Sequence, residues 1–260
     1  VEFSSGWEWG YWQQDVAALR MGYSLPDRYE DFAEQFYAPY GDAGKKLADA
    51  VNALAEVQHD SLLVKRLAPY FASRDGLMDL GRGVGVISQP DRVEMADLRN
   101  MDSAERETFR AKFVEPMKAF ADAMAPIRDQ IAASGMPESD PYFTEVRDGV
   151  EIDVLRARFA SLAWQVPLDV ADGKDAMPLL TEMDSILADA TAVVTRRRDG
   201  MHDPRFKRLL TSAQNATVYP YGYLQKANTL CFWQRERVQA RALVLGLGET
   251  VPACVDVDLQ

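Results

Sequence analysis

The chain has 260 residues, 47% of them hydrophobic, enough to bury a full core as one large body or two smaller ones. Its formal charge of -11 and sequence pI of about 4.8 create a field that repels nucleic acid phosphates and anionic lipid surfaces, so no nucleic-acid partner is expected. Two cysteines, Cys231 and Cys254, exclude a disulfide framework but leave open one bridge closing the C-terminal tail onto the helix before it, and no apolar run approaches the roughly 20 residues that span a bilayer, so a soluble chain without membrane insertion is expected.

The chain begins at Val1 with VEFSSGWEWGYW, more aromatic than an ordinary free terminus, which predicts a piece of a longer or processed polypeptide. Val1 and Phe3 alternate weakly, as at a strand end running into a loop at Ser4, Ser5 and Gly6. From Glu8 onward, Trp9, Trp12, Val16, Leu19 and Tyr23 recur at helical spacing until Pro26 stops the pattern. Asp27 then caps a short helix whose aromatic face is Tyr29, Phe32, Phe36 and Tyr37, ended by Pro39 and Gly41.

A long helix is predicted over 42–73, with Leu47, Val51, Leu54 and Val57 as one apolar row, Leu63, Leu67 and Tyr70 as the next, and Pro69 bending its last turn. The stretch 75–100 carries Gly76, Gly81, Gly83, Gly85 and Pro90 and reads as the major connection. It divides the expected organisation into 1–88, an aromatic segment with a helical subdomain, and 89–260, a C-terminal helical bundle.

Asp102 and Glu105 form a capping-box pattern, and behind them Phe109, Phe113, Met117, Phe120, Met124, Ile127 and Ile131 recur at helical spacing. Pro116 and Pro126 inside that row predict a kink or a split, and Gly135 with Pro137 closes it. Asp140-Pro141 opens a turn or short helix; Val150, Val154, Leu155, Phe159 and Leu162 predict the next helix, with a loop through Pro167 and Gly173. Leu180, Met183, Leu187, Ala190 and Val194 predict another, finishing at Arg196, Arg197 and Arg198, where positive charge suits the helix C-terminus. Asp203-Pro204 starts a further segment, a last long helix is predicted over 223–245, and Val251, Val255 and Val257 suffice for one short extended piece. The expected architecture is all-α, a bundle of seven to nine helices as one body or two subdomains, with no sizeable sheet.

Gly6-Trp7-Glu8-Trp9-Gly10-Tyr11-Trp12 is the most unusual segment for chemistry. Indole faces stack on the apolar C–H face of a pyranose while a carboxylate accepts from its hydroxyls, so Trp7, Glu8, Trp9, Tyr11 and Trp12 are candidate sugar contacts. Docking of an N-terminal helix onto the bundle explains the same residues. Tyr219-Pro220-Tyr221-Gly222-Tyr223, with Phe232 and Trp233, is a second aromatic concentration, which adds Tyr221 and Tyr223 as candidates; helix packing explains it equally well.

His59 and His202 are the two histidines, and neither stands in metal-ligand spacing with a cysteine or with the other, so no metal site is expected. His59 and Asp60 are adjacent on a helix and do not face each other, which makes a surface or core-edge histidine the better reading. Gly81-Arg82-Gly83-Val84-Gly85 lacks the lysine and hydroxyl of a P-loop and the setting of a dinucleotide fingerprint. No G-x-S-x-G elbow is present, and the apolar neighbours of Cys231 raise a thiol pKa rather than activate it. No cofactor is expected, no catalytic residue is assigned, and carboxylate pairs on acidic helices read as solvated faces.

The order of features over 7–50 also resembles a known arrangement. The Trp-Glu-Trp stretch leads into Asp15-Val16-Ala17-Ala18-Leu19-Arg20-Met21-Gly22-Tyr23-Ser24-Leu25-Pro26, and then into an acidic helix and the turn Tyr37-Ala38-Pro39-Tyr40-Gly41-Asp42-Ala43-Gly44. This resembles the segment that follows the catalytic (β/α)8 barrel in bacterial glycoside hydrolases of the α-glucuronidase and glycosaminidase-like groups. Arg20, Tyr23, Pro26, Phe36, Tyr37, Tyr40, Gly41 and Ala43 are the positions that match, about one-sixth of the chain, and the turn departs from the pattern by reading Tyr-Ala-Pro-Tyr-Gly. The resemblance implies the helical accessory domain of a carbohydrate-active protein, without the barrel's catalytic strands, whose partner is a carbohydrate or the remainder of a longer polypeptide. A helical scaffold or partner-binding module without catalytic activity is the alternative. The compartment is left open, a periplasmic or secreted setting being compatible with the first reading.

Overall fold

The computed structural model describes residues 36–71, 93–200 and 230–246. Among them the fold is all-α with no strand, in six continuous helices, fewer than the seven to nine expected for the whole chain. Helix α1 is Gly41–Gln58, continued by a π-helical stretch His59–Val64; α2 is the short Ala68–Phe71. Helix α3 runs over 103–132 in three parts, Ser103–Phe109, a π stretch Arg110–Val114, and Glu115–Ala132. Helices α4, Pro141–Ala171, α5, Met177–Gly200, and α6, Cys231–Leu245, complete the described body.

The entry to α1 is built by glycine. Gly41 stands at φ 59°, where a side chain is strained. A Cβ on Gly44 would lie 2.1 Å from the Tyr37 carbonyl oxygen and 2.7 Å from the Tyr40 Cβ, so the turn 37–40 closes onto α1 only because position 44 has no side chain. Tyr37, fully buried, anchors that turn: its hydroxyl lies 2.7 Å from the Tyr142 hydroxyl of α4.

The apolar row Leu47, Val51 and Leu54 is buried as its spacing predicts, with Val57 partly so. The helix does not continue to residue 73 as a single element. The π stretch after Gln58 widens the turn and shifts the register by one residue, so Leu62 is buried at 4% while Leu63, expected in the core row, is 53% exposed. Arg66 at φ 56° then breaks the helix three residues before Pro69, which sits in the first turn of α2 where its missing N–H costs nothing.

Helix α3 follows its sequence pattern closely. Asp102 accepts from the Ala104 and Glu105 amides at 2.9 Å, and the Asp102 amide donates back to Glu105 at 2.8 Å, a complete capping box. Phe109, Met117, Phe120, Met124, Ile127 and Ile131 are all buried, each contributing about 1.5–3 kcal/mol of apolar transfer. The chain is not split at its prolines. Pro116 falls in the first turn of the segment that follows the π stretch, and the helix runs on through Pro126.

The largest departure from the sequence pattern is α4. Asp140 caps it by accepting from the Phe143 amide at 2.9 Å, and the expected turn and the helix around 150–162 prove to be one helix of 31 residues that passes through Pro167. An internal proline costs about 3 kcal/mol, yet it is outweighed here because the flanking Trp164, Val166 and Leu168 are all buried. From residue 142 to 168 only Arg158 is exposed; α4 is the central rod, packed by α2, α3, α5 and α6. Residues of 37–71 and of 95–240 share one continuous core, and the expected boundary at 88/89 lies outside the described residues. Helix α6 begins at Cys231, after Leu230 at φ 49°; the predicted start at 223 lies outside the described residues.

Candidate functional site: the buried polar positions of the central helix

A helix enclosed on all sides must partner every charge it carries, because an unpaired ion away from water costs several kcal/mol. Helix α4 carries Glu145, Asp148, Asp153 and Arg156 as buried groups, contrary to the reading of its carboxylates as solvated faces.

Arg156, 1% exposed, forms the deepest junction. Its Nη1 and Nη2 donate to Glu236 Oε2 and Oε1 of α6 at 2.5 and 3.0 Å, and its Nε donates to the Phe71 carbonyl at 2.6 Å. The guanidinium carbon lies 5.7 Å from the Phe159 ring centre and 5.4 Å from that of Trp233, within cation–π range. Two turns further along α4, Trp164 Nε1 donates to the Tyr70 carbonyl at 3.0 Å. These two side chains of α4 thus donate to consecutive carbonyls of α2, Tyr70 and Phe71.

Nearer the N-terminal end of α4, Asp148 accepts from Arg147 Nε at 2.8 Å and from Arg196 Nη2 of α5 at 2.6 Å. Hydrogen bonds donated to Asp148 hold the Arg196 pKa above its ordinary value against the opposing effect of burial, and Glu151, at 2.8 Å, adds to the effect. Burial lowers the Arg147 pKa, but Asp148 and Glu138 together more than reverse that. Arg196 thus ties α5 to α4. At the other end, Asp172 accepts from Arg106 Nε at 2.7 Å and from Arg110, and those bonds, Arg110's first, hold its carboxyl below the usual range. At the entry turn the Tyr40 phenol is raised by burial and by the Asp140 carboxylate beside it.

Asp153 is different. It is 2% exposed, and its Oδ2 accepts from Gln58 Nε2 of α1 at 3.2 Å, while Oδ1 has no hydrogen-bond partner. Burial pushes its carboxyl up to about 7 against weaker opposing effects, of which the Gln58 bond is the smallest. A proton on this group is therefore exchangeable near neutrality. The bond it accepts comes from an amide rather than a second carboxyl, so this contact does not assemble the acid and base pair that glycoside cleavage requires.

Trp7, Glu8, Trp9, Tyr11, Trp12, Tyr221 and Tyr223 lie outside the described residues, as do His202, Cys254, the Gly81–Gly85 rhythm and the valines of 251–257. Of the matched turn, Phe36, Tyr37, Tyr40, Gly41 and Ala43 are described, and Phe36 packs edge-on to Tyr37 and Tyr142 at 4.9 and 5.3 Å. His59 is exposed on the π stretch, and Asp60 pairs with Lys65 at 2.6 Å. Among the described residues no three His, Cys, Asp or Glu side chains are grouped to hold a metal ion, and no helix is long and apolar enough to cross a membrane.

Sequence reasoning missed Asp153, Arg156 and Glu236. The usable signal was that apolar residues cover every side of 142–168, which makes any charge there an interior one. Comparison with family models, with curated proteins and with solved structures finds no match.

Proposed function

We propose that this chain is the helical accessory domain of a carbohydrate-active, glycoside hydrolase-like protein. The helical body is a support, and the sugar contacts come from Trp7, Glu8, Trp9, Tyr11 and Trp12, with Tyr221 and Tyr223. The observation that carries this reading is the commitment of the interior ions. Arg156 and Asp148 are each held by partners on other elements, which suits a rigid frame rather than a reactive cleft. The likeness of the 37–44 turn to the post-barrel segment of such enzymes supports the same reading, and so does the tryptophan-rich composition of 7–12. Titration of neutral and uronic oligosaccharides against the wild type and a Trp9→Ala, Trp12→Ala variant is the test. A saturable change in tryptophan fluorescence, lost in the variant, is expected; an unresponsive wild type overturns the proposal.

Leu63 and Val64, 53% and 63% exposed at the tip of the π stretch, favour a second reading as a partner-docking scaffold without catalytic activity. That reading expects an association, measured by light scattering, that is lost on deleting residues 1–12 and indifferent to sugar.

A further inference from the structure

We draw no further inference here: the strongest candidate, the buried Asp153 carboxyl on the side of α4 that meets Gln58 of α1, has one oxygen without a partner, but it rests on its titration alone, and nothing described around it points to a ligand.

Discussion

Replacing Asp153 by Asn should make the protein's stability less sensitive to pH near neutrality. In the folded chain burial raises the Asp153 carboxyl from 3.8 to about 7, so the folded state binds a proton that the unfolded state has already released over that interval. A raised carboxyl pKa means that stability falls as pH rises from the unfolded value to the folded one, and is flat above it. At about 1.4 kcal/mol per pH unit, the full loss is on the order of 4 kcal/mol, and about 3 kcal/mol of it falls above pH 5. Asparagine keeps the acceptor that meets Gln58 Nε2 and removes the titration. Urea unfolding of both proteins at about pH 5, 6, 7 and 8 should therefore give a stability gap, variant over wild type, that widens by about 3 kcal/mol across the series. A gap that stays constant from acid to neutral would refute the reasoning, since it would mean that Asp153 is ionised in the folded chain throughout.

Glu236→Ala leaves the Arg156 guanidinium buried without its carboxylate and should cost about 3–5 kcal/mol in urea unfolding. The paired change Arg156→Met with Glu236→Met should recover part of that loss and retain a deficit of about 1–3 kcal/mol, because the Phe71 carbonyl then loses the Arg156 donor. Gly44→Ala places a methyl group 2.1 Å from the Tyr37 carbonyl oxygen, and a loss of about 3 kcal/mol or more is expected from thermal unfolding; a neutral result would mean that the 37–40 turn can move away from α1 at little cost.

How far the sequence could be read depended on whether the signal was local. The capping box at Asp102 and the row from Phe109 to Ile131 were legible because both are set within a few residues of one helix, and each sits where its spacing puts it. The interruption after Gln58 was not, since nothing in His59–Val64 marks a π stretch: the register is chosen by which leucine the core accepts. Pro167 predicts a loop because proline preference is local, whereas its tolerance inside α4 comes from neighbours far along the chain. For the same reason the pairing of Arg156 with Glu236 was invisible. The two residues are 80 positions apart, and nothing local to Arg156 names Glu236 as its partner.

The distribution of those interior charges has a physical logic that stability alone does not supply. Buried ion pairs are often no more stabilising than well-packed apolar residues of similar size, so α4 does not need Arg156 in order to be buried. Apolar packing alone leaves register loose: the contact of Trp233 of α6 with Phe159 of α4 is a tilted ring pair without a directional bond. A planar guanidinium that must satisfy the Phe71 carbonyl and both oxygens of Glu236 together admits one placement of each helix. The double Met variant separates the two roles, because it keeps the apolar volume and removes the fork. If the fork sets register, that variant should fold with the helix content of the wild type but with broadened or doubled amide signals confined to α2 and α6. A single sharp set of signals there would show that packing of Trp233 against Phe159 is sufficient to seat α6 without it.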